Sequence, residues 1–273
     1  MNLKSALATA SLLLTCALAI AANLSVDIGG KRTFTTEELL ARPDAATIRV
    51  PDDVTFHRTM MYRAVPLRAL LDARHLPDDG ELQITGTDGF VTHLPARLLF
   101  DDRAKPPRAR AWLAIEPPGE PWLRVTGGGD IGPFYVVWTD AAASDIKSEQ
   151  WPYKVDAIRA TQYAAARWPQ IAVDREVPAE SPVRRGQALF ATQYMTCHRM
   201  NGAGDASMGP DLNLPHNPTE YFQPWVLARF IHDSRSIRAW PGMQMHDFDR
   251  SALSDRDIGD VIAYLGYMAK HKK

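Results

Sequence analysis

The chain has 273 residues, with 31 Lys and Arg against 32 Asp and Glu and a formal net charge of −1. So even a balance gives no basis for a nucleic-acid or anionic-membrane partner. Roughly 250 residues after an N-terminal leader are too many for one small domain and suit two, each burying its own core.

That leader is residues 1–22. Lys4 precedes an uncharged apolar run from Ala6 to Ala22, and Ala19-Ile20-Ala21 has the A-x-A form of a signal-peptidase site. The run is at the short edge for a membrane span, and no later segment is long and uncharged. A periplasmic, exported, soluble protein without stable membrane insertion is therefore expected. Cys16 would leave with the leader, so Cys197 would be the one remaining cysteine and no internal disulfide could form. A lone thiol in an oxidising compartment is a liability unless it is buried or occupied.

Residues 23–161 carry short β-rich runs, "ATIRV", "ELQITG", "AWLAI", "WLRVTGG" and "FYVVW", punctuated by Gly, Pro and Asp. Two helices are expected among them. One starts at Thr35 with Glu38 three residues on, a capping box; the other is "PLRALLDARHL", with Pro66 at its first turn. The spacing predicts an α+β, sheet-dominated domain. Residues 162–181, with Pro169 and Pro178 inside and Pro182 just beyond, read as a linker. Residues 182–273 then turn helical. "RRGQALFATQY" places Gly186 and Phe190 on one helix face. The last helix caps at Ser254 with Asp257 and runs to about Lys270 with Ile258, Val261, Ile262, Leu265 and Met268 at helical spacing.

Inside this helical half lies Tyr194-Met195-Thr196-Cys197-His198. A histidine directly after a thioether-forming cysteine is held under a porphyrin by the covalent bond and can ligate its iron. A Cys-His pair alone arises by chance, and its specificity comes from what surrounds it. The Gly186 and Phe190 helix precedes it, and Gly209-Pro210-Asp211-Leu212 follows. Then come the helix "YFQPWVLARFIHD", the loop "WPGMQMHDF" and the last helix with Tyr264-Leu265. In that order these landmarks resemble a monohaem cytochrome c of the bacterial class I type.

The resemblance implies haem c ligated by His198, whose other ring nitrogen is oriented by the Pro210 carbonyl. It implies Met245 as sixth ligand, with Met243 as the alternative on the same loop. A soft thioether donor favours ferrous iron, as an electron carrier needs. Tyr194 stands where the family has the first cysteine, so attachment would run through Cys197 only, and the larger side chain must find room or swing outward. Non-covalent haem and a haem-free, degenerate domain stay open beside this. Of the histidines, His216 and His232 read as surface residues, and His246 as a surface residue that could replace the methionine.

The run "YRAVPLRALLDA…LQITGTDGFVTHLP" with "GGGDIGPFYVVW" is similar to the molybdopterin-binding domain of the sulfite-oxidase-like family. Those enzymes hold molybdenum through a cysteine, and residues 23–161 contain none, so the resemblance implies a fold and no molybdenum cofactor. Asp88-Gly89-Phe90 is expected to turn a hairpin, and Gly127-Gly128-Gly129 to form a turn. His57, Arg58, Arg63 and Arg68 read as a solvated face or an anion site. Trp112, Trp122, Trp138 and Trp151 read as core or interface anchors. The expected function is electron transfer between periplasmic redox proteins; the alternatives are a haem-free interaction module and a subunit of a molybdenum oxidoreductase.

Overall fold

The computed structural model describes residues 22–76, 80–100, 107–125, 129–243, 245–250 and 252–273. The expected leader, except Ala22, and Gly127-Gly128 lie outside them. The fold is α+β, with a sheet-rich N-terminal region followed by a helical one. The strands are β1 (Asn23–Asp27), β2 (Lys31–Thr35), β3 (Ala46–Asp53), β4 (Arg58–Pro66), β5 (Gly80–Gly86), β6 (Val91–Pro95), β7 (Arg110–Ile115), β8 (Phe134–Thr139) and β9 (Val155–Gln162). They form two sheets, ordered β2-β1-β9-β5-β6 and β3-β4-β7-β8. β1 pairs in parallel with β9, which joins the two ends of this half; the other pairings are antiparallel.

Strand patterning follows burial where one face meets water. On β4, Met60, Tyr62 and Ala64 are buried while Thr59, Met61 and Arg63 are exposed, the period of two that puts alternate side chains on opposite faces. β5 and β6 break that rule, because Glu81, Gln83, Thr92 and His93 are buried along with their apolar neighbours. Gln83 bonds to Asp205 of the helical half, so the face that reads as polar is covered from outside.

The helices are α1 (Thr36–Leu40), α2 (Arg97–Phe100), α3 (Ala164–Arg167), α4 (Pro182–Leu189), α5 (Pro218–Tyr221), α6 (Pro224–His232), α7 (Ser234–Ile237) and α8 (Asp255–Ala269). The capping boxes at Thr35/Glu38 and Ser254/Asp257 are both present. The hairpin at Asp88-Gly89 joins β5 to β6, with Gly89 at φ +87°. Trp138 and Trp151 are buried in the N-terminal core, and Trp112 and Trp122 pack against it.

Three local expectations differ. "PLRALLDARHL" forms two short 3-10 turns, Leu67–Leu70 and Ala73–His75, separated where Leu71 goes extended. Leu67 and Leu70 are fully buried and Leu71 and Leu76 pack against the same core, while Asp72 accepts from the Arg74 N–H and caps a second turn in place of a continuous helix. "YFQPWVLARFIHD" is split into α5 and α6 by extended Phe222 and Gln223, the latter held out of the helical region by Pro224 directly after it. Residues 122–125 of "WLRVTGG" form no strand.

The stretch 162–181 contains α3 and a 3-10 turn at Pro169–Ile171, and it buries Ala164, Ile171 and Val173 in the helical core. The Ile171 carbonyl accepts from Tyr264 Oη at 2.8 Å and Gln187 Nε2 at 3.2 Å. Prolines mark this stretch in the sequence, but its apolar residues pack.

α4 and α8 cross at Gly186. A Cβ there would lie 2.0 Å from the Asp260 carbonyl oxygen, so only glycine permits this approach. The crossing sets Phe190 against Tyr264, with centroids 5.4 Å apart.

Candidate functional site

After α4 the chain widens into one π-helical turn, Phe190–Tyr194, and then reaches Cys197 and His198. Cys197 N–H donates to Tyr194 O at 3.0 Å and His198 N–H to the same oxygen at 2.7 Å, folding the Cys-His pair back under Tyr194. His198 Nδ1 lies 2.8 Å from Pro210 O. A carbonyl only accepts, so Nδ1 carries the proton and the Nε2 lone pair is left for another partner. Burial pushes the His198 pKa down, which favours the neutral ring a metal requires. The loop passes tightly behind the imidazole. A Cβ on Gly209 would sit 2.4 Å from His198 Cε1, so glycine at this position makes the approach possible.

Tyr194, Cys197, His198, Pro210, Met243 and Met245 all line one cavity of about 660 Å³, to which Leu212, Phe222 and Leu227 add apolar wall. The residues expected from sequence are thus gathered on one space. Met243 is buried and Met245 half-buried, and both face it. Burial raises the Cys197 thiol pKa, so the sulfur is held protonated, with Thr196 Oγ1 3.7 Å away.

Tyr194 turns inward. Its ring is 4% exposed and stacks between Phe190 (centroids 5.9 Å) and Phe248 (5.7 Å). Its hydroxyl is buried without a hydrogen-bond partner among the described residues, and so is Gln193 Nε2. Desolvation pushes the Tyr194 phenol pKa well above its ordinary value, so it remains a neutral potential donor.

Among the histidines, His216 is exposed beside Glu220. His232 is no surface residue: Nδ1 is 2.7 Å from Phe248 O and Nε2 is 2.8 Å from Asp255 Oδ1, so it ties α6 to the methionine loop and the start of α8. His246 does line the cavity. It is half-exposed, with Nε2 3.0 Å from Glu149 Oε1 and its ring 4.6 Å from that of Phe248. The Glu149 carboxylate raises its pKa.

The residues fit a planar, apolar macrocycle gripped by an imidazole. The wall is mainly hydrocarbon, one imidazole nitrogen is committed to the Pro210 carbonyl behind it, and thioether sulfurs stand on the same cavity. Sequence reasoning misses Gln193, Met208 and Trp240 on this cavity and Glu149 beside it. The first three carry no motif, and Glu149 lies in the other half of the chain.

Residues 183–269 match the family model described as Cytochrome c. No curated protein matches the chain. The matched segment contains the whole cavity wall that the helical half provides and supports a haem-binding, electron-transfer role for it.

Proposed function

We propose, from the cytochrome c match over residues 183–269, that this chain is an exported, periplasmic electron carrier. In it His198 and Met245 ligate haem c, and Cys197 supplies the one thioether. Bound haem iron would alternate between the ferric and ferrous states, and the protein's part is burial, orientation and ligation.

His198 is kept neutral by burial and aimed by Pro210, so its Nε2 is ready to donate without reorganisation. Leu212, Phe222 and Leu227 line the cavity and would keep water from a group bound in it. Tyr194 fills the first-cysteine position as a wall residue and does not compete with Cys197 for attachment. Met245 is preferred to Met243 because it directly precedes His246 and Asp247, which are pinned on two sides. The sheet-rich half would orient the carrier for its periplasmic redox partners. The observation that carries the reading is the His198 Nδ1 to Pro210 O bond on the wall of an apolar cavity shared with Cys197 and two methionines.

The test is a pyridine haemochrome spectrum of protein matured in a host competent for haem attachment, with mass spectrometry of the Cys197 peptide. The reading expects a band intermediate between those of two-thioether and unattached haem, and a peptide carrying the mass of haem. Met245→Ala should abolish the near-infrared sulfur-to-iron band and Met243→Ala should keep it. Colourless protein would refute the reading in favour of a haem-free module, and coloured protein with an unmodified Cys197 peptide would refute the thioether.

A further inference from the structure

The sheet-rich half meets the cavity wall at the turn 147–150, and that turn is fixed from behind. Trp138, 1% exposed on β8, donates its indole N–H to Gln150 O at 2.8 Å. The Gln150 side chain accepts from Lys147 N at 2.8 Å and closes the turn, and Trp151 follows it into the core.

From this base three successive side chains each reach a different element of the helical half. Lys147 Nζ pairs with Asp145 Oδ1 of its own half at 2.9 Å and lies 3.9 Å from Asp257 Oδ2 in the first turn of α8. The Ser148 hydroxyl donates to Gln193 Oε1 at 3.2 Å, in the π-turn ahead of Cys197. Glu149 Oε1 lies 3.0 Å from His246 Nε2, in the methionine loop, at ion-pair distance.

The methionine loop has no helix or strand of its own at residues 239–243 and 245–250. On its other side it is held through Asp247 Oδ1, which accepts from Ser234 N and Oγ at 2.8 Å each, and through Phe248 N–H, which donates to Ile231 O at 3.2 Å. The residue before these anchors is His246, and the one before that is Met245. Phe248 also stacks on Tyr194 of the attachment side, with centroids 5.7 Å apart. Glu149 adds a polar contact two residues earlier, at His246 directly beside Met245, from a turn that also touches Gln193.

We propose that the turn 147–149 is a clamp contributed by the sheet-rich half. In it Glu149 acts as a positioning residue that, through His246, holds Met245 in register for ligation, while Ser148 fixes Gln193 on the attachment side. The proposal rests on the haem reading above for its functional meaning and on the contacts alone for its geometry. It also assigns the sheet-rich half a task inside the electron-transfer site, in addition to meeting a partner.

The experiment uses the full chain. In haem-loaded protein, Glu149→Ala should leave the haem content, read as the pyridine haemochrome, unchanged. It should abolish the near-infrared sulfur-to-iron band and let carbon monoxide bind the ferrous form. Glu149→Gln keeps an acceptor in place and should retain the band. His246→Ala, which breaks the same contact from the loop side, should reproduce the alanine phenotype should Glu149→Ala fail to accumulate.

In haem-free protein, amide hydrogen exchange over residues 242–250 should speed by about tenfold in Glu149→Ala, because a tether against local opening is gone. Unchanged band, unchanged carbon monoxide binding and unchanged exchange in Glu149→Ala overturn the clamp. Wild-type protein without haem overturns the functional reading instead, and the exchange measurement then decides the clamp by itself.

Discussion

Substituting alanine at Gly186 tests the crossing on which the helical half is built. The new Cβ would be 2.0 Å from Asp260 O, 2.6 Å from the Asp260 carbonyl carbon and 2.8 Å from Tyr264 Cβ. Comfortable contacts lie at about 3.5 Å or more, so α4 and α8 must part by at least about 1 Å. The obstacle is backbone and cannot rotate aside. Overpacking of this kind costs about 3 kcal/mol at the upper end of its range. Parting the helices also stretches the Arg185 contacts to Asp260, at 2.6 and 2.8 Å. The better helix propensity of alanine returns about 1 kcal/mol, leaving a net loss of about 2 kcal/mol. Gly259, on the exposed side of α8, is the control: a Cβ added there would meet nothing within 4 Å, and Gly259→Ala should stabilise by about 0.5 kcal/mol. Urea unfolding followed by helical circular dichroism measures both. Equal midpoint shifts in the two variants, or a shift under about 0.5 kcal/mol for Gly186→Ala, would refute the argument from close approach.

Three further outcomes are expected. Glu81 is 3% exposed, and burial raises its pKa from 4.5 to about 7. Between those values the unfolded chain has released a proton that the folded chain keeps, so stability falls as pH rises and the penalty is complete above about pH 7, at no more than about 3 kcal/mol. Glu81→Gln should remove that slope in urea titrations at pH 4 to 8, and an unchanged slope would contradict it. Asn213 is fully buried; its Nδ2 donates to Asn201 Oδ1 at 2.7 Å and Met268 O at 2.8 Å, and its Oδ1 accepts from Asn217 Nδ2 at 2.8 Å. Asn213→Ala strands these partners and should cost about 3 kcal/mol in the same assay; a loss below about 1 kcal/mol would mean the network is replaceable. Tyr194→Phe deletes a buried hydroxyl with no partner among the described residues and should be neutral or stabilising by about 1 kcal/mol, whereas a comparable loss would show the hydroxyl to be engaged.

What could be read along the chain was whatever depends on near neighbours or on order. The caps of α1 and α8 need only a hydroxyl and a carboxylate three residues apart, and both formed as spaced. Cys197-His198, Pro210 and Met245 lie on one cavity, carried there by the two long connections that follow Tyr194 and Ile237. Local rules failed where a distant surface arrives. Alternation assigns Glu81, Gln83 and His93 to solvent, but the helical half covers them, and His93 is buried beside Gln83 with Asp205 3.7 Å away. His232 reads as a surface residue and bridges Phe248 to Asp255.

The sequence by itself determined the α+β order of the two halves, the capped helices and the Cys197-His198, Pro210 and methionine landmarks that share the cavity. The tertiary structure alone decided that Tyr194 turns inward between Phe190 and Phe248, that three asparagines bind the 201–217 loop to α8, and that Glu149 meets His246. A helix cap or a strand period is satisfied within a few residues, so composition and spacing reveal it. A buried amide or carboxylate is satisfied by whichever chain segment crosses it, and that crossing is fixed by the packing of the whole molecule.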